Sequence, residues 1–192
     1  MNKNFGEKLL ADQSARTAWW PVLTKIDGEL AAQACALGCP PCGGALHRAN
    51  YERKPRGMNF EAWRDSFCCA VDGCRRRLTP ASVRFLGRRV YPGFMVVLLA
   101  ALRHGLSAGR VRVLQEQLGV DRRTLERWRD WWLHQFPSGR LWRVARAHLL
   151  PPVNAAALPW SLWERFAGDG DDSLLGLLRF LTPWSIPTAP AN

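Results

Sequence analysis

Six cysteines fall within residues 35–74, and the spacing of four of them constrains the fold of that stretch more than any other feature. Cys39-Pro-Pro-Cys42-Gly-Gly is followed by Phe67-Cys68-Cys69-Ala-Val-Asp-Gly-Cys74, with 26 residues between Cys42 and Cys69. Residues 35–79 are rich in Cys, Gly, Pro and Arg and carry little helical periodicity. A stretch of that composition folds as a small module stapled by metal. Two thiolates in C-x-x-C hold half of a tetrahedral zinc site, and the trailing glycines permit the tight turn beneath the sulfurs. Cys69 and Cys74, in C-x4-C spacing, supply the other half. Cys68 is the alternative third ligand, in C-x5-C spacing; neighbours in an extended stretch face opposite ways, so only one of the pair points at the ion.

The expected ligand set is therefore Cys39, Cys42, Cys69 and Cys74. Four thiolates close the coordination shell and leave no position for catalysis, so the zinc is structural. Cys35 reads as a buried thiol on the preceding helix, and His47 is a possible substitute ligand. A dithiol redox centre would need a βαβ context, and no such alternation is present. The segment MNKNFGEKLLADQ lacks the apolar region of a secretory signal, which sets the expectation of a reducing, cytoplasmic location and argues against a disulfide framework.

The charge is as unevenly distributed as the cysteines. The 192 residues carry 27 Lys and Arg against 16 Asp and Glu, a net of +11. Residues 45–146 hold 21 of those cations and 8 of the anions, a net of +13, and the flanks hold 6 against 8. Only Lys3, Lys8, Lys25 and Lys54 are lysines. The excess is thus guanidinium confined to the middle of the chain, as expected of a surface that meets a polyanion. Arginine's planar fork suits both phosphate and guanine edges. No apolar run is long enough to span a membrane.

Four regions are expected. Residues 1–34 form a helical arm of one or two short helices around Trp19-Trp20 and Pro21. Residues 35–79 form the zinc-ribbon module, a β-hairpin fold. Residues 80–150 form a helical domain, and residues 151–192 short helices and a Pro-rich tail. The fold class is mainly α, with a small β module. Tyr91, Phe94, Met95, Leu98, Leu99 and Leu102 mark one apolar helix face that ends at Gly105.

Within the helical domain, at about residues 107–134, Ser107 caps a helix through Val111, Leu114 and Leu118, and Gly119 stops it. Val120 tucks into the angle, and Asp121 caps a second helix whose inner face is Leu125, Trp128 and Trp132. Its N-terminal residues Arg122, Arg123 and Thr124, with Arg127 one turn on, occupy the positions from which a recognition helix reads the major groove. Ser138 is expected to cap a further helix through Trp142.

Taken together, Cys-Pro-Pro-Cys-Gly-Gly with Cys-Arg-Arg-Arg resembles the zinc ribbons of bacterial insertion-sequence proteins. Leu-Gly-Val-Asp-Arg-Arg-Thr-Leu-Glu-Arg-Trp resembles the helix-turn-helix of transposases and their accessory factors. The likeness covers about residues 39–132 and implies DNA binding. It departs from that pattern where four residues, not two, separate the second pair of cysteines. Residues 133–192 are too short for an acidic-triad nuclease, so strand transfer is not carried over.

The expected function is sequence-specific binding of double-stranded DNA by a non-enzymatic mobile-element accessory factor or transcriptional regulator. Arg75, Arg76, Arg77, Arg84, Arg88 and Arg89 would hold the backbone, Arg122, Arg123, Thr124 and Arg127 would read bases, and Arg110 is a further expected DNA contact. One alternative is an interaction subunit that recruits a transposase or nuclease through Trp160, Trp163, Leu174, Leu177, Leu178 and Trp184. Another is a zinc ribbon that binds RNA. The partner is nucleic acid, with or without a second protein, and not a membrane; the setting is the nucleoid.

Overall fold

Helix α1, Gln13–Ala36, runs through Pro21 without a break. A proline inside a helix removes one hydrogen bond and costs about 3 kcal/mol. Here Trp19, Trp20, Leu23 and Ile26 on the same helix are all buried, and their packing outweighs the missing bond. Where one or two short helices were expected around Pro21, one long helix runs through it. Asp12 caps its start by accepting a hydrogen bond from the Ser14 amide. The computed structural model describes residues 8–86, 91–100, 108–166 and 170–186.

Among the described residues the β structure is five short strands: β1 Leu46–Arg48, β2 Tyr51–Arg53, β3 Ala62–Arg64, β4 Phe67–Cys69 and β5 Arg77–Leu78. They form a three-stranded antiparallel sheet in the order β1-β4-β5 and a separate β2-β3 hairpin. In the first sheet Leu46 faces Cys69, and Cys68 faces both His47 and Arg77. Ala62 belongs to the main core, and Met58 and Phe60 pack against it. The Cys-rich stretch is therefore bonded to the helical body by its own apolar residues.

The next described helix after β5 is α2, Gly93–Ala100. Tyr91 and residues 94–99 are all buried, so this helix is apolar on every side rather than along one face, and other elements surround it. Leu102, Gly105 and Ser107 lie outside the described residues. Helix α3 is Ala108–Leu118 and α4 is Arg122–Asp130. From α4 the helix continues as a π-helical turn, Trp131–Gln135, and ends at Phe136–Ser138.

Ser138 does not cap a new helix as expected. Its hydroxyl donates to the Gln135 carbonyl at 2.9 Å, and Gly139 precedes the next helix, α5 Arg140–Ala145, without a side-chain cap. The last helices are α6 Trp160–Trp163 and α7 Gly170–Phe180. The architecture is mostly helical with small antiparallel sheets.

A single core joins α1, α2, α4 and α7 through Leu23, Phe94, Met95, Leu125, Trp132, Leu174, Leu177 and Leu181. A buried polar node crosses it. Asp27 of α1 accepts from the Val83 amide at 2.7 Å, from Arg84 Nε at 2.7 Å and from the Ser82 hydroxyl. The Ser82 amide in turn donates to Ser185 Oγ at 2.7 Å. The Asp27 carboxylate, the Ser82 amide and the Val83 amide of this node are thus all partnered, as burial requires.

Candidate metal centre and nucleic-acid interface

The four cysteines expected to bind metal converge. Cys39, Cys42, Cys69 and Cys74 place their sulfurs within 4.8 Å of one another. Cys42 Sγ is 3.5 Å from Cys69 Sγ, and Cys39 Sγ is 3.7 Å from Cys74 Sγ. A tetrahedral ion with metal–sulfur bonds of about 2.3 Å would hold its sulfurs about 3.8 Å apart, so the donor set fits a tetrathiolate centre and can bind a metal ion.

Two turns build it. In the first, the Gly43 amide donates to the Cys39 carbonyl at 2.7 Å, and the Cys39 amide donates to the Gly44 carbonyl at 2.9 Å. Gly43 makes this turn at φ +69°. Gly44 is needed for space: a Cβ there would sit 2.4 Å from Val71 Cγ2 and 3.4 Å from the sulfurs of both Cys42 and Cys69. In the second turn the Val71 amide points at Cys69 Sγ, 3.4 Å away. Gly73, at φ +84°, and Arg75, at φ +42°, bend the longer C-x4-C loop back toward the first turn.

Cys68 takes no part. Its thiol donates to the carbonyls of Cys69 and Arg75, on the opposite side of β4. Cys35 points at the Leu46 carbonyl. Burial and the neighbouring thiols push the Cys39 thiol up to about 12. Four sulfurs gathered this closely cannot all ionise unless a cation joins them.

The second feature is the corner between α3 and α4. Gly119 ends α3 at φ +62°, with its amide bonded to the Gln115 carbonyl at 2.9 Å, the left-handed cap that glycine favours. Val120 is fully buried in the angle. The Asp121 carboxylate accepts the Thr124 amide at 2.7 Å. That amide, then the Thr124 hydroxyl, hold the carboxyl below its usual range, aided by Arg127 and Arg123. The buried Tyr91 donates its hydroxyl to the Gly119 carbonyl at 2.8 Å and meets Trp128 edge-on at 5.0 Å. The corner is thereby tied to the base of α2.

Helix α4 is sharply two-faced. Thr124, Leu125 and Trp128 are buried, whereas Arg122, Arg123 and Arg127 stand in solvent. Arg122 pairs with Glu126 at 2.9 Å, and Arg127 donates to Thr124 Oγ1 at 2.9 Å. Thr124, expected to read bases, is 3% exposed and instead orients Arg127.

Arg84 is the other correction. Placed by sequence among the backbone contacts, it is 3% exposed. It is held by Asp27, by the Trp63 carbonyl at 3.0 Å and by Asp65 at 3.5 Å. A guanidinium so enclosed meets no phosphate. Arg64 is buried too, with its guanidinium bonded to the Pro80 carbonyl. Arg75, Arg76 and Arg77 are exposed as expected. Arg88 and Arg89 lie outside the described residues; Arg110 falls within α3, with its side chain outside the described part.

A cleft of about 700 Å³ lies along α4, lined among others by Arg123, Arg127, Trp128 and Trp131 and, from the β2-β3 connection, by Arg56. Arg56 was missed in the sequence, although Arg53-Lys54-Pro55-Arg56-Gly57 is a basic turn signal. The tail leucines proposed as a partner surface are core: Leu174, Leu177 and Leu178 are at most 1% exposed. Among the described residues no helix is long and apolar enough to cross a membrane.

Comparison with known protein families, curated proteins and solved structures gives no match to this chain.

Proposed function

We propose that the chain is a sequence-specific double-stranded DNA-binding protein without enzymatic activity. In this reading it serves a mobile element as accessory factor, or acts as a transcriptional regulator, and works at the nucleoid. The observation that carries the proposal is α4. Its inner face is anchored in the core, its corner is pinned by Gly119, Val120 and Tyr91, and its outer face is Arg122, Arg123 and Arg127. A helix so fixed, basic at its N-terminal end, is what a helix-turn-helix lays in a major groove.

The four-cysteine centre takes zinc in this proposal, because tetrahedral all-thiolate sites suit that ion. Zinc there supplies structure only: it holds the two turns together, and Arg75, Arg76 and Arg77 leave the second turn at the surface. The arginines act by charge and shape. Arg123 and Arg127 read base edges, and the ribbon arginines neutralise phosphates. Arg75, Arg76, Arg77 and Arg122, each displacing one counterion, give a salt dependence with a log–log slope of about −4.

The test is selection of bound duplexes from a random pool by the zinc-loaded chain, followed by salt titration. Enrichment of a defined site, with Arg123→Ala relaxing the preference and Arg76→Ala weakening every sequence alike, is the expected result. Equal losses on selected and random duplexes for both variants would overturn the division of roles. A pool of single-stranded RNA run alongside separates the RNA-binding alternative.

A further inference from the structure

The cleft beside α4 is more than the groove-facing side of a helix. Arg123 and Arg127 form one wall, and Arg56, brought in by the β2-β3 connection, stands over Tyr91 with its guanidinium carbon 5.9 Å from the ring centre. The floor is aromatic: Tyr91, Trp128 and Trp131 all line it. Tyr91 and Trp128 are nearly buried, whereas Trp131 is half-buried. Trp131 opens the π-helical turn, an insertion that often marks a functional position in a helix.

The charges in the cleft are unbalanced. Glu126 is engaged by Arg122, and Asp130 accepts from the Gln135 amide at 2.9 Å. Three guanidinium groups therefore face two carboxylates that already have partners. A volume of about 700 Å³ falls within the range of about 300–1,000 Å³ typical of small-molecule sites and is far larger than one phosphate requires. Cations on one wall and a π surface on another match a phosphate joined to a planar base.

We propose that this cleft holds one unstacked nucleotide of a bound strand, its phosphate at Arg56, its base against Trp131 and the edge of that base toward Arg123 and Arg127. The inference rests on the DNA-binding reading and deepens it: besides meeting a duplex, the protein favours one with an unpaired residue. The β module and the helical corner then share one ligand, because Arg56 belongs to the former and Arg123 and Arg127 to the latter.

The experiment compares two random-sequence duplex pools of equal length, one fully paired and one with a single central unpaired deoxyadenosine. Both are titrated with the full zinc-loaded chain. In parallel, equilibrium dialysis measures binding of deoxyadenosine monophosphate, with deoxyadenosine and inorganic phosphate as controls. The unpaired pool is expected to bind about five- to a hundredfold more tightly, the worth of one stacked base. That preference should vanish in Arg56→Glu and Trp131→Leu, whereas Arg76→Ala weakens both pools alike. Should Trp131→Leu fail to fold, the surface variant Arg56→Glu decides alone.

Equal binding of the two pools by the unmodified chain, or a preference that survives Arg56→Glu, overturns the proposal. Tight duplex binding without preference leaves the DNA-binding reading standing and sinks only the cleft. Binding of the mononucleotide, lost in Arg56→Glu, without binding of either duplex does the reverse.

Discussion

Replacing Arg84 by methionine tests whether this residue is a core clamp. The arginine and Asp27 have side chains 4% and 0% exposed. Methionine keeps much of the stem volume and removes the charge, leaving Asp27 with only the Val83 amide and the Ser82 hydroxyl as donors. Removing one member of a buried ion pair costs about 3–5 kcal/mol, chiefly because the other charge is left uncompensated. The Trp63 carbonyl also loses a donor, in the direction of a further loss. Against a total stability of about 5–15 kcal/mol, this leaves the fold marginal. With a urea dependence of about 2 kcal/mol per molar, a loss of about 4 kcal/mol lowers the unfolding midpoint by about 2 M. The double variant Arg84→Met/Asp27→Leu should be less destabilised than the sum of the two single variants by about 2 kcal/mol or more, since the fully buried Asp27 charge is gone and Asp65 loses only its longer contact at 3.5 Å. Duplex affinity of the folded fraction should not change. A midpoint within about 0.5 M of the unmodified chain, or unchanged stability with lost duplex binding, would refute the clamp.

Four further outcomes are expected. Cys69→Ser should abolish stoichiometric metal binding and unfold the β module, whereas Cys68→Ser should retain one ion per chain; metal analysis after gel filtration separates them. Gly44→Ala should speed loss of the ion to a chelator by crowding Val71 and two sulfurs, and Val71→Ala in the same chain should restore retention. Gly119→Ala should destabilise by about 1 kcal/mol, the strain of a side chain in the left-handed region, with Gly119→Asn less affected; urea midpoints measure both. Asp121, its carboxyl held low by the Thr124 amide, contributes stability that is present above the ordinary carboxylate range and lost as pH falls through its depressed folded value. Acidification to about pH 3 should therefore destabilise the unmodified chain more than Asp121→Asn, measured as the difference in urea midpoint between neutral and acid conditions.

The parts of the fold that were legible beforehand are those governed by local rules. Gly119, Val120 and Asp121 announce a corner because each occupies a position only a few residue types fill. The choice of Cys69 over Cys68 rests on its C-x4-C spacing to Cys74, within the usual range for zinc ligands, and the opposite directions of the two thiols on β4 follow from the alternation of an extended strand. What escaped depends on distant partners. Nothing near Arg84 in the chain reveals that Asp27, 57 positions earlier, will enclose it, so a count of charges treats it as surface. Pro21 suggests a break until the burial of Trp19, Trp20 and Leu23 is known. Arg56 joins Arg123 only through tertiary packing. Ser138 looked like a cap, but the π-helical turn carries the preceding helix far enough to absorb it.

The node at Ser82 also bears on the order in which the protein can be completed during synthesis. All four sulfurs lie between residues 39 and 74, so the thiolate cage needs no ligand translated after Cys74. The interior does need later residues. Ser82 waits for Ser185, and the ring of Phe136 waits for Trp184, 4.9 Å away. In a nascent chain the full set of thiolate ligands is thus present before the arginine-bearing helix is. The stretch around Trp184 and Ser185, translated after that helix, completes the packing around Phe136 and Ser82.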